Sequence, residues 1–264
     1  MEQWQSDQMR GMQFIASAPE IHHNAIVYTY DCGLVDIVAA ERRMFREPGW
    51  EAERPEIRTP APREAGIKSN GADMARSMRR ARAKLRRLAL ANEFEYFVTL
   101  TLDRSKIDRY DPKVITKALN TWLDNMVRRN GLRYVLVPER HQDGALHFHG
   151  FFAGENLPAV DSGHKDGSGA TVYNLPQWKY GFSTAIKLRG EYPRAVAYVC
   201  KYIGKQQGER PMGRWYYSGG ALKEPPKLYA DLDYEQLSDK PDSIEFETPG
   251  GKMLVLHTRQ EDLQ

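Results

Sequence analysis

The stretch Ala145-Leu146-His147-Phe148-His149-Gly150-Phe151-Phe152 decides how the chain is read. In an extended strand alternate side chains share a face. His147 and His149 then point the same way, about 7 Å apart along the strand, and Phe148 points oppositely. Two imidazoles this close, with a third donor nearby, suit one divalent metal ion. The same pattern fits two ordinary histidines on a half-exposed strand, so the neighbouring segments decide.

Arg133 to Arg140 reads as a second strand that turns at Asp143-Gly144 into the histidine strand. The loop length sets the register. A two-residue Asp-Gly turn pairs Gln142 with Ala145 and puts Glu139 on the face away from the histidines. A three-residue loop ending in a glycine bulge pairs His141 with Ala145 and puts Glu139 opposite His147. A metal site therefore requires the bulged hairpin. His141 shares that face and is the rival third ligand. Glu139 is preferred, because a carboxylate offsets metal charge and suits Mg²⁺ or Mn²⁺.

Phe94 to Asp103 is a strand rich in aromatic and β-branched residues. Phe94, Tyr96, Val98, Leu100 and Leu102 line one face, with Thr99 and Thr101 on the other. The threonines either donate to phosphate or only satisfy strand propensity. Asp111 to Asn130 is a helix with an aspartate cap, proline at its first position and Gly131 beyond its end. Gly181 to Leu188 reads as a further strand, and Ala153 to Lys179 as a loop that closes over substrate. Tyr192 to Lys205 is a helix. Its Tyr198 and Tyr202, four residues apart, project from one face, with Lys201 and Lys205 beside them. Buried tyrosines are often packing residues, so the spacing alone does not assign chemistry.

Ala72 to Ala91 is a helix with an apolar stripe of Met74, Met78, Ala81, Leu85 and Leu88. Its other face carries Arg76, Arg79, Arg80, Arg82, Lys84, Arg86 and Arg87. Such a run is either a solvated face or a phosphate contact; like charges this dense repel unless a polyanion is near. Toward the N-terminus, Ala25 to Tyr30 reads as a strand and Val35 to Phe45 as a helix. Arg46 to Gly71, with four prolines and many charges, is an irregular connection. Arg214 to Ser218 reads as a short strand that stacks bases or closes the core, and Glu245 to Thr258 as a hairpin.

With 264 residues, 41% of them hydrophobic, the chain suits one large domain or a domain with extensions. The net charge of +3 is too mild to announce nucleic acid by itself. Two distant cysteines, Cys32 and Cys200, argue against a disulfide framework. The N-terminus lacks a signal-peptide pattern, and no apolar run reaches membrane-spanning length. The expectation is a soluble cytoplasmic protein without membrane partners. There is no phosphate-binding glycine loop and no zinc-finger spacing, which argues against a helicase.

Taken together, Phe97-Val98-Thr99-Leu100-Thr101, His147-Phe148-His149 with Glu139 eight residues before, and Tyr198-Val199-Cys200-Lys201-Tyr202 resemble the three motifs of the replication-initiator (Rep) branch of the HUH endonucleases. These are rolling-circle nickases of phages and plasmids. The resemblance covers about Phe94 to Lys205. It implies an α+β fold, a central antiparallel β-sheet flanked by helices with a ferredoxin-like core, here with an N-terminal helical extension. It implies residues 1–71 as extension and connection, 72–230 as the endonuclease domain with its basic lead-in helix, and 231–264 as a tail with a β-hairpin.

The activity implied is metal-dependent nicking and joining of single-stranded or locally melted origin DNA through a 5′-phosphotyrosine. Tyr198 and Tyr202 would be nucleophiles, with Lys201 favouring the phenolate. His147, His149 and Glu139 would hold Mg²⁺ or Mn²⁺. Arg79, Arg80, Arg82, Arg86, Lys205, Thr99 and Thr101 would contact DNA. A host polymerase and helicase would be partners, in a bacterial cytoplasm. Rival readings are a transposase or relaxase of the same superfamily, a non-catalytic DNA-binding protein, and a metallohydrolase that uses water.

Overall fold

A computed structural model describes residues 22–47, 71–190, 192–205 and 210–263. In chain order the first elements are β1 (His22–His23), β2 (Ala25–Thr29), β3 (Leu34–Ala40), β4 (Phe45–Arg46), α1 (Gly71–Leu90), β5 (Tyr96–Leu102) and α2 (Pro112–Asn130). Next come β6 (Arg133–Arg140), β7 (Leu146–Ala153), β8 (Val160–Lys165), β9 (Thr171–Asn174), β10 (Gly181–Lys187) and α3 (Tyr192–Lys205). The chain closes with β11 (Tyr217–Gly219), β12 (Lys227–Ala230), α4 (Tyr234–Ser238), β13 (Ser243–Thr248), β14 (Gly251–Arg259) and a short 3₁₀ turn. The fold is α+β, with antiparallel sheets flanked by helices, as the sequence led one to expect.

The chain divides into two units, split near residues 61 and 225. The larger holds a seven-stranded antiparallel sheet in the order β11-β6-β7-β5-β10-β9-β8. Strand β5 alternates strictly between buried and half-buried residues, because one face meets the core and the other the histidines. On the core face Val98, Leu100, Phe148, Phe152 and Leu136 pack with Ile115, Leu119, Trp122, Leu123 and Met126 of α2. That helix starts where Asp111 accepts hydrogen bonds from the Lys113 and Val114 amides and stops at Gly131, whose φ of 61° is left-handed. Helix α3 packs against α1 and against β6 and β7. The end of α1 is tied down by buried Asn92, which bonds to the backbone of Leu88 and Lys223. The Tyr192 hydroxyl also donates to the Ala89 and Asn92 carbonyls.

Two expectations for this unit change. Ala153 to Lys179 is not a single loop: it contains the hairpin β8–β9, which continues the sheet beyond β10. Trp215 and Tyr217 are buried and close the core instead of standing ready for bases.

The smaller unit joins pieces that the sequence reading kept apart. Its five-stranded sheet runs β12-β2-β3-β14-β13, so β3 near the N-terminus pairs with β14 near the C-terminus. Its core holds Val35, Ile37, Ala39, Leu254 and Leu256 with Tyr234 and Leu237 of α4. Leu34–Ala40, expected within a helix and a helical extension, is a central strand. Residues 48–70 of the proline-bearing connection lie outside the described residues, as do residues 1–21.

Candidate active site

The bulged hairpin forms. The His141 amide donates to the Ala145 carbonyl, and the Gly144 amide donates back to the His141 carbonyl. Gly144 has φ of 84°, the left-handed conformation that a three-residue loop needs at its last position. Asp143 holds the turn by accepting from the Ala145 amide at 3.0 Å and from Arg109 at 2.9 Å. The resulting register pairs Glu139 with His147 on one side and Thr101 with His147 on the other. Thr99 pairs with His149. One sheet face thus collects Glu139, His147, His149, Thr99 and Thr101.

The threonine hydroxyls, offered by the sequence as phosphate donors, face the imidazoles instead. Thr99 Oγ1 lies 3.1 Å from His149 Nδ1, and Thr101 Oγ1 lies 3.5 Å from His147 Nδ1. Such contacts orient an imidazole and set its tautomer. Glu139 Oε2 lies 2.8 Å from His149 Nε2. His141 stacks on His147 with ring centroids 5.1 Å apart, and its Nδ1 lies 3.4 Å from Asp143. Burial pushes the pKa of His147 and His149 below the ordinary histidine value, more than nearby Glu139 raises it. Both rings are therefore neutral near pH 7, the form that ligates metal.

The donor types fit a divalent ion: two neutral imidazoles and a carboxylate on one face, with hydroxyls behind both rings. The donors do not converge, however. Glu139 points at His149, and among the described residues no group of three His, Cys, Asp or Glu side chains is arranged to hold an ion.

The tyrosine helix lies over this face. Tyr202 stacks on His149 with centroids 4.2 Å apart and planes 9° from parallel. Its hydroxyl donates to that of Tyr198 at 2.8 Å. The two differ in surroundings: Tyr202 is 5% exposed, whereas Tyr198 is 48% exposed and rests edge-on against Phe97. Burial, then the bond to Tyr198, pushes the Tyr202 pKa up, so Tyr202 keeps its proton and acts as donor.

The lysine at this site is Lys205, expected as a DNA contact, and not Lys201. Lys205 Nζ lies 3.6 Å from Glu139 and 4.5 Å from the Tyr202 ring centre. Lys201 is exposed. Arg79, Arg80 and Arg82 stand exposed on α1, Arg86 is half-buried, and Arg76 pairs with Asp73 at 3.3 Å. Sequence reasoning passed over Phe182, which is 68% exposed on the histidine face of β10.

Residues 95–207 match a family model for the replication-associated protein ORF2. The matched span, somewhat under half of the chain, contains the histidine strand, Glu139 and both tyrosines. A family of replication-associated proteins agrees with the resemblance drawn from the motifs. Comparison with curated proteins gave no match, and neither did comparison with solved structures. Among the described residues, no helix is long and apolar enough to cross a membrane.

Proposed function

We propose that the protein nicks and rejoins single-stranded origin DNA to initiate, and by the second tyrosine to terminate, rolling-circle replication. The observation that carries this reading is the hydroxyl pair of Tyr198 and Tyr202, 2.8 Å apart, stacked over His149 beside Glu139. The match to replication-associated proteins favours an initiator over a transposase or relaxase.

Tyr198 attacks first in this mechanism, because its hydroxyl reaches solvent and a strand laid on the sheet face. Its oxygen bonds to phosphorus, and the bond to the 3′ oxygen breaks. The phenol proton leaves to water, and the departing 3′ oxygen takes a proton up. The Tyr202 hydroxyl donates to the Tyr198 oxygen and eases the loss of that proton. Lys205, between Glu139 and the Tyr202 ring, contributes positive charge beside the phosphate. His147, His149 and Glu139, with His141 as the alternative third donor, would hold Mg²⁺ or Mn²⁺. When bound, that ion supplies Lewis-acid polarisation of the scissile phosphate.

Once Tyr198 carries the 5′ end, Tyr202 is free to attack the regenerated junction. The exposed arginines of α1 grip flanking phosphates. The free 3′ hydroxyl serves a host polymerase, with a helicase opening the duplex.

The test is incubation with single-stranded DNA of the suspected origin and Mn²⁺, followed by a denaturing gel and peptide mapping. Wild type should give a covalent adduct on Tyr198. Tyr198→Phe should lower the first cleavage by at least about 100-fold, the scale expected when a covalent nucleophile is lost. Tyr202→Phe should still form the adduct but fail in joining. Cleavage that survives the double change would make water the nucleophile and end this reading.

A further inference from the structure

Phe182 lies in the same row of the sheet as the metal-type ligands. It pairs with Thr101, which pairs with His147, which pairs with Glu139. Directly paired residues project to one face, and neighbouring strands are about 4.8 Å apart. The Phe182 ring therefore rises from the floor on which the histidines stand, about 10 Å from His147 and on the side away from β6. At 68% it is the most exposed of the protein's large hydrophobic residues that can be compared. Thr184, next on that face, is also exposed.

The backbone beneath Phe182 is held on both sides. At Gly181 a β-carbon would run into the Thr101 carbonyl oxygen, so β10 lies tight against β5 only because that position is glycine. The Asp103 amide donates to the Tyr180 carbonyl at 2.9 Å, and Trp178 Nε1 donates to the Thr101 carbonyl at 3.1 Å. On the other side, the buried hydroxyl of Ser183 accepts from the Leu175 amide at 2.8 Å. An aromatic ring on so firm a strand is not a surface side chain that drifts. It loses little freedom on binding and offers a flat apolar face beside the candidate phosphate site.

We infer that Phe182 is a base-stacking platform: it takes the unpaired base of a nucleotide flanking the phosphate held at His147. This inference rests on the nicking reading for the place of the strand. Stacking needs no base-specific hydrogen bond, so Phe182 contributes affinity and register along the strand but little sequence choice. The occupant is a nucleobase, because the ring adjoins the phosphate-directed face and the neighbouring Thr184 hydroxyl suits a sugar or phosphate oxygen.

The experiment uses the full chain and a labelled single-stranded thymidine oligonucleotide, read by fluorescence anisotropy without cleavage. Phe182→Ala and Phe182→Leu should each weaken binding by roughly 10-fold, within the range for one stacked base. Phe182→Trp should keep the affinity, and emission from the added indole should be quenched when the oligonucleotide binds. The salt dependence should be unchanged in all three, because no charge is lost. Reversing the charges of Arg79, Arg80 and Arg82 should instead make that slope shallower.

Wild-type affinity in Phe182→Ala would overturn the inference. So would wild-type affinity in Phe182→Leu, which keeps apolar bulk but has no ring. An indole at 182 that ignores the oligonucleotide would overturn it too. The two readings fail separately. An adduct at Tyr198 together with undiminished binding by Phe182→Ala sinks only the platform. Lost binding in Phe182→Ala without any tyrosine adduct keeps the platform and removes the nickase.

Discussion

Thr99 and Thr101 show how one residue type supports two readings until its partner is seen. On a strand facing bound DNA a threonine hydroxyl suits a phosphate. Here the hydroxyls meet His149 Nδ1 and His147 Nδ1, which assigns them to orienting the imidazoles. Thr99→Val keeps shape and removes the contact. It should lower Mn²⁺ affinity roughly 10-fold, the usual scale for losing a partner behind a metal-ligating histidine. Titration calorimetry or the electron-spin signal of free Mn²⁺ reads this without DNA. Unchanged Mn²⁺ binding with weakened DNA binding would return Thr99 to the phosphate. The histidines add a pH signature. Burial holds both rings neutral below the ordinary histidine pKa of about 6.5. As pH falls, Mn²⁺ affinity should therefore persist past 6.5 and drop only below it, where the imidazoles gain protons. The tyrosines were legible as a pair but not as unequal partners. Spacing puts both on one face, whereas the burial of Tyr202 and the exposure of Tyr198 come from how α3 sits on β6 and β7.

At the scale of elements, the hairpin β6–β7 was readable because the Asp143-Gly144 loop and the required metal face pointed to one register, and Glu139↔His147 is the pairing found. Helix α2 was equally legible, its cap, stripe and terminal glycine all agreeing. Strand β3 was not. Val35, Asp36, Ile37, Ala39 and Ala40 are all buried, so no alternation marks it, and a short apolar run reads as helix or strand alike. Strands β8 and β9 failed for the opposite reason: β8 is almost wholly exposed and lacks an apolar face to betray it. Gly150 is a further element-level constraint. A β-carbon there would strike the Val135 carbonyl oxygen, and that atom belongs to backbone that cannot swing aside. Gly150→Ala should cost about 1–3 kcal/mol in denaturant unfolding, as overpacking of a tight core does. It should also push β6 from β7 and loosen the Glu139–His149 contact. Full stability in this variant would show that the two strands have more room than the geometry allows.

For the whole molecule, the sequence suggested an extension, a catalytic domain and a tail in series, because local patterns carry no sign of which distant strands pair. The structure places β14 directly against β3, so the smaller unit draws on both ends of the chain. Strand β3 has β2 on one edge and β14 on the other, and Leu254 and Leu256 supply part of its core. Cutting the chain before Ser243 removes β13 and β14 together. It strips one edge of β3 of its partner and opens that core to water, while the pairings of β5, β6 and β7 lie wholly within the larger unit. Hydrogen exchange on the truncated protein should show fast amides in the β3 residues whose N–H groups bond to β14. Protection of β5 and β7 should stay near wild type. If β3 kept its protection without β14, the shared sheet would not be what orders the N-terminal strands. If β5 and β7 lost theirs as well, the two units would fold as one cooperative body and not as the separable pair that the pairing pattern describes.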